Sequence, residues 1–211
     1  MDAEEPTQAG KPTQTEEPAQ TVALERGALG LISAVGLASG VLSVLGLSQM
    51  NLFYSTGLLF GALIAGYFVV HEGEREILKL ALFVTVCLGS LYAAVHVGLL
   101  AMEIARALDS SHAERANVAF GVAGAVGAFI VLLAALSLFG AKGPSLRALR
   151  YALVGSLGGA LLGLIGALWE QAVTPQPAGY LGGVDGIRGA LLVWQPGVAL
   201  LLGLMLQYER R

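Results

Sequence analysis

Hydrophobic and polar positions in this chain do not alternate; they separate into blocks. Residues 27–71 contain no Asp, Glu, Lys or Arg, and the stretches Leu80–Met102, Ala116–Ala141, Tyr151–Trp169 and Gly189–Tyr208 are equally free of them. A helix needs about 20 predominantly apolar residues to cross the hydrocarbon core of a bilayer. Each of the last four blocks suits one crossing. The first suits two, joined by the short polar Ser48-Gln49-Met50-Asn51. Helices of a soluble core would keep a polar outer face, and these blocks are apolar all round. Strands of a membrane barrel would alternate over about ten residues, and none do. Where no water can satisfy the backbone, helices remain.

The pattern therefore predicts an all-α integral membrane protein, a bundle of six transmembrane helices. The spans fall at roughly 28–47, 54–71, 78–102, 117–139, 148–169 and 189–207. Lys142-Gly143-Pro144-Ser145 separates the fourth span from the fifth, since glycine and proline both interrupt helix. The longest connection, Glu170 to Arg188, holds Pro175, Pro177, Gly179, Gly182, Gly183 and Gly186 and is expected to be irregular.

The membrane domain so defined is 26–211. Ahead of it, residues 1–25 repeat a polar unit: Glu-Glu-Pro-Thr-Gln at 4–8, Lys-Pro-Thr-Gln at 11–14 and Glu-Glu-Pro-Ala-Gln at 16–20. Such a segment buries too little apolar area to offset the entropy of ordering, so a disordered, solubilising tail is expected. It lacks the basic stretch and apolar core of a secretory signal.

Composition agrees with the block pattern. The 211 residues are 55% hydrophobic and 13% charged, with mean hydropathy +0.72, against about a quarter charged in soluble domains. The net charge of −3 says little about partners, because much of the acid lies in the tail. The expected partners are the lipid bilayer, a small-molecule solute, and a membrane partner subunit or a second copy; no nucleic acid is expected.

The distribution of basic residues sets an orientation, because Lys and Arg flanking spans stay cytoplasmic. Lys11, Arg26, Arg75, Lys79, Lys142, Arg147, Arg150, Arg210 and Arg211 fall on one side of a six-span topology. Only Arg106, Arg115 and Arg188 fall on the other. Nine against three puts both termini in the cytoplasm. Trp169 and Trp194 near the outer boundary, and Tyr151 and Tyr208 near the inner one, suit interfacial aromatic belts. Arg outnumbering Lys nine to three, with abundant Ala, Gly and Leu, suggests a GC-rich bacterial genome and hence an inner-membrane location.

The 29 glycines add a packing expectation. Gly155, Gly159 and Gly163 recur every four residues in the fifth span. Ser33, Gly36, Gly40 and Ser43 share a face of the first, Gly57, Gly61 and Ala65 of the second, and Gly121, Gly124 and Ala128 of the fourth. Small residues at this spacing let helix backbones approach closely in lipid, where hydrophobic drive between helices is absent.

Candidate chemistry is sparse. His96 is the one clear ionisable group inside a span, and such groups usually face a cavity or a partner. Tyr92, Gly89 and Thr85 precede it at helical spacing and Glu103 follows. In the sixth span Trp194-Gln195-Pro196 lies within two turns of the outer end, and Pro196 should kink the helix and free a carbonyl near Leu192. Glu170 and Arg188 stand at the same level. These residues suggest an outward-facing polar pocket between the third and sixth spans, lined by Tyr92, His96, Trp194 and Gln195, rimmed by Glu103, Glu170 and Arg188, with the fifth loop as a lid. The competing reading makes His96 a packing device, bonded to Gln195 or to the freed carbonyl.

No catalytic motif appears. His71-Glu72 is followed by Arg75 where a zinc-protease helix has its second histidine, and neither a nucleophile elbow nor a phosphate-binding loop is present. Cys87 is the single cysteine. A non-enzymatic protein with no cofactor and no metal is expected: a small-solute transport component, or alternatively a structural or assembly subunit of a larger membrane complex.

Overall fold

A computed structural model describes residues 17–47, 55–140, 143–173 and 185–210. They form six helices: α1 Glu17–Leu47, α2 Ser55–His71, α3 Ile77–Ala107, α4 His112–Phe139, α5 Leu146–Val173 and α6 Asp185–Arg210. Five are long and apolar enough to cross a membrane; α2, with 17 residues, is shorter. Among the described residues there is no strand. The helices run past the expected spans because polar flanks continue them. Glu17-Pro18 opens α1 inside the segment expected to be a tail, with proline in the first turn, where its missing N–H costs nothing. Residues 1–16 lie outside the described residues, as does most of the connection between α5 and α6 expected to form a lid.

Helix ends are fixed by local chemistry. Ser111 caps α4: its hydroxyl accepts the Glu114 N–H while the Glu114 carboxylate accepts the Ser111 N–H, a reciprocal capping box. After α2, Gly73 at φ 70° lets the Glu74 N–H return to the Phe68 carbonyl at 3.0 Å. Glu74 then accepts the N–H groups of Arg75 and Glu76 at 2.9 and 2.8 Å. Lys79 pairs with Glu76 at 2.7 Å.

The helices form a closed ring in chain order, each packed on the next, with α6 returning to α1 and α4 touching α6 across the interior. Glycine positions give the direction of each contact. A Cβ on Gly36 would lie 2.8 Å from Pro196 Cα, and one on Gly40 3.1 Å from the Leu191 carbonyl, so α1 and α6 are antiparallel. Gly57 meets Leu88 and Leu91, whereas Gly61 meets Val84, so α2 and α3 are antiparallel as well. On α5, Gly159 and Gly163 face Gly124 of α4, while Gly158 and Gly166 face Leu201 and Ala190 of α6. Gly155 is wedged between Leu132 and Met205. Gly98 of α3 sits on Ala119 and Ala123 of α4. Followed around the ring, these pairings alternate helix direction and close consistently, so α2 runs opposite to both α1 and α3.

One end of the bundle, where α3 and α5 begin and α2, α4 and α6 end, is filled. Phe68 stacks on Phe139 at 4.0 Å with Phe83 edge-on to both, and Tyr151 meets Tyr208 edge-on at 5.8 Å. Leu132, Leu136, Val198 and Leu202 complete this buried core. Glu209 is also buried here, against Gly140, with no hydrogen-bond partner for either carboxylate oxygen among the described residues.

Candidate functional site

The opposite half of the bundle holds a half-open cavity of about 260 Å³. Its wall is built from the first turns of α2 (Thr56, Phe60), the middle and end of α3 (Ser90, Ala94, Gly98), the start of α4 (Ala119, Ala123) and the start of α6 (Leu191, Trp194, Gln195). The lining is overwhelmingly apolar. Small side chains make the space: alanine, glycine and serine line three of the walls where a leucine would fill it.

Trp194 lies between this space and the filled half. Its indole N–H donates to the Gly124 carbonyl of α4 at 3.1 Å, and its ring meets Phe60 of α2 at 6.0 Å between centroids. A Cβ on Gly127 would lie 2.9 Å from the indole, so the absence of a side chain there seats the ring. Trp194 is therefore an interior residue and not a belt residue at the lipid boundary. Trp169 of α5, by contrast, is half exposed on the outer surface.

Gln195 is 2% exposed, and its amide is turned to α1: Nε2 donates to Ser43 Oγ at 3.2 Å, and the hydroxyl also lies 3.5 Å from Oε1. Ser90 donates to the Cys87 carbonyl at 2.8 Å. Cys87 is buried, as a small apolar group would be.

The expected polar pocket separates into two places. Trp194 and Gln195 line the cavity, but Tyr92 and His96 do not. They are exposed on the outer face of α3, ring centroids 4.0 Å apart, with His96 Nδ1 2.8 Å from the Tyr92 carbonyl. His96 therefore bonds its own helix, and the expected pairing with Gln195 does not occur. Helical geometry is the reason: Tyr92 is two residues from both Ser90 and Ala94, about 200° around a helix with 3.6 residues per turn. The inward line of α3 is Cys87, Ser90, Ala94 and Gly98. That line was visible as a run of small residues, the type that marks tightly packed faces in membranes.

The expected rim is likewise dispersed. Glu103 pairs with Arg106 on its own helix at 3.8 Å, both exposed. Glu170 reaches α6, where it accepts the Gly189 N–H at 2.9 Å, a favourable place for a carboxylate near a helix N-terminus. Arg188 is half-buried beside that glycine. None of the three lines the cavity. Sequence reasoning missed Asn117 and Gln171, which tie α4 to α5 at this end at 3.1 Å, and Ser43 as the partner of Gln195. Through Pro196 α6 stays helical, and Gly36 of α1 packs on that residue.

Among the described residues no three His, Cys, Asp or Glu side chains converge. Comparison with protein-family models, with curated proteins and with solved structures finds no match.

Proposed function

We propose that this chain is a small membrane transport component that holds its solute in the cavity beside Trp194. The observation that carries the reading is the cavity itself. Glycine contacts bring the helices of this bundle together, yet one half keeps a cavity that a few larger side chains would fill. Clefts of this kind, with a few placed polar groups, are the usual form of small-molecule sites.

Six crossings with both ends in the cytoplasm belong to the same proposal. α2 is about 25 Å long at 1.5 Å per residue, a little under a bilayer core of about 30 Å. It nevertheless runs from the cavity layer at Thr56 to the aromatic cluster at Phe68, which is the depth traversed by its neighbours. A short span is accommodated by local thinning at modest cost. With Arg75, Lys79, Arg147 and Arg150 at the filled end, the positive-inside rule makes that end cytoplasmic and the hollow half external.

The direct test is thermal unfolding of the purified protein in mild detergent against a panel of solutes. A solute that raises the midpoint in the wild-type protein, but not in a cavity-filling Ala123→Leu protein, supports the reading. No solute-dependent shift, together with a stoichiometric partner that copurifies, rejects it in favour of an assembly subunit. One observation favours that second reading: Thr85, Gly89, Tyr92 and His96 form a stripe on the outside of α3, and polar groups facing lipid are costly unless another helix meets them.

A further inference from the structure

Resting on the reading of the cavity as a solute site, we infer that its ligand is an uncharged, mostly hydrocarbon molecule of on the order of ten non-hydrogen atoms, carrying one hydrogen-bonding group such as a hydroxyl. Size follows from volume: about 260 Å³, filled at the density of protein interiors, holds roughly that many carbon-sized atoms.

Charge is decided by what the wall lacks and by what its polar groups already do. Among the described residues no Asp, Glu, Lys, Arg or His lines the cavity. Of the ionisable groups expected at its rim, Glu103 pairs with Arg106 and Glu170 with the α6 backbone, and Arg188 does not line the cavity. A carboxylate or ammonium entering this space would lose its hydration and meet no counter-charge, and the penalty for a buried unpaired ion is severe. The Trp194 N–H is committed to Gly124 and the Ser90 hydroxyl hydrogen to Cys87. What remains is limited and neutral. An amide has two N–H donors, and among the described residues Gln195 engages the Ser43 hydroxyl alone, so one donor is left over. The Ser90 oxygen retains acceptor capacity. With the Thr56 hydroxyl the one other polar side chain in the wall among the described residues, this donor and acceptor match a single hydroxyl.

The test uses three probes with one hydrocarbon body and different heads: 8-bromo-1-octanol, 8-bromooctanoate and 8-bromooctylammonium. Bromine quenches tryptophan at contact range. In a Trp169→Phe protein in lipid vesicles, which contribute no tryptophan of their own, the remaining Trp194 reports the cavity alone. The alcohol should quench Trp194 at a membrane concentration at least tenfold below that needed for either charged probe. Ala123→Leu or, should that protein not fold, Val95→Phe should abolish the quenching. Quenching by a charged probe at the same concentration as the alcohol, also abolished by cavity filling, overturns the inference about ligand class and leaves the solute site standing. Quenching that no filling variant alters, or no quenching by any of the three, overturns the solute site itself.

Discussion

Alanine at Gly163 tests the backbone approach of α4 and α5, which forms one wall of the hollow half. The added methyl would overlap the Phe120 carbonyl and lie within 3.1 Å of the Phe120 carbonyl carbon and 3.3 Å of Gly124 Cα. All three are backbone atoms, so no rotamer change relieves the overlap. The helices must separate by about 1 Å to regain carbon contact distances of about 3.5 Å. That separation also loosens Gly159, which rests on Ala128 and Gly124 along the same stripe. Gly89 of α3 and Gly66 of α2 serve as references, because a methyl on either meets nothing within 4 Å. All three substitutions gain the same helix propensity, about 1 kcal/mol, so the difference between Gly163→Ala and the references isolates the packing cost. Overpacking of this kind costs about 1–3 kcal/mol, or roughly 5- to 150-fold in the unfolding equilibrium. Equilibrium unfolding in mixed micelles of increasing SDS content, followed by tryptophan emission, measures it. Gly89→Ala and Gly66→Ala should be neutral or slightly stabilising and Gly163→Ala clearly destabilising. Equal midpoints for the three would refute the α4–α5 contact as described.

Other consequences can be measured in the same preparation. A double-mutant cycle between Ser43→Ala and Gln195→Leu should give a coupling of about 0.6 kcal/mol, the average for hydrogen bonds between membrane helices, whereas the cycle between His96→Ala and Gln195→Leu should give none; coupling in the second pair would restore the polar pocket the structure takes apart. The Glu76 N–H bond to Glu74, helped by the nearby Lys79 charge and the Arg75 N–H, holds the Glu74 carboxyl below the usual carboxylate range. Its contribution to the α2–α3 turn is therefore present above the ordinary carboxylate pKa and is lost as pH falls through the lowered value. Hydrogen exchange at Arg75 and Glu76, corrected for intrinsic rates, should accelerate on acidification, and Glu74→Gln should remove that pH dependence. Glu209→Gln replaces a buried carboxylate that has no partner among the described residues with a neutral amide; an unsatisfied buried group costs about 1–3 kcal/mol, and more when charged, so the midpoint should rise, and a fall would mean that the carboxylate has a partner.

The helices themselves were legible because a membrane span is a strong signal: a run of about twenty apolar residues without charge matches the thickness of the hydrocarbon core. Helix ends were less so. Capping by Ser111 and Glu114 starts α4 five residues before the expected span, and Glu17-Pro18 starts α1 inside the expected tail. These additions come from local turn chemistry in polar sequence, which a hydropathy pattern does not register. Glycine spacing marks crowded faces but leaves the neighbour open. Gly155, Gly159 and Gly163 read as one stripe, yet α5 is wedged between two helices, and Gly158 and Gly166 serve the second contact. Only the ring order decides which stripe meets which helix, and that order depends on contacts between residues far apart in sequence.

The candidate site shows where polarity misleads. In a soluble protein a polar stripe on a helix marks the outside, so in a membrane span the natural inversion places Tyr92 and His96 inside. α3 does not follow the inversion. Lipid is as apolar as the interior, so transfer free energy scarcely distinguishes the two faces, and shape decides which turns inward. Cys87, Ser90, Ala94 and Gly98 allow α2 and α4 to approach; Tyr92 and His96 are too large for that face and lie against each other on the outside instead. The same rule explains Trp194. Its bulk is admitted to the interior because Gly127 leaves room for the ring and the Gly124 carbonyl accepts its N–H. Within this bundle the small residues that meet a neighbouring helix mark the interior, and Trp194 and Gln195 are held there by partners across a helix pair.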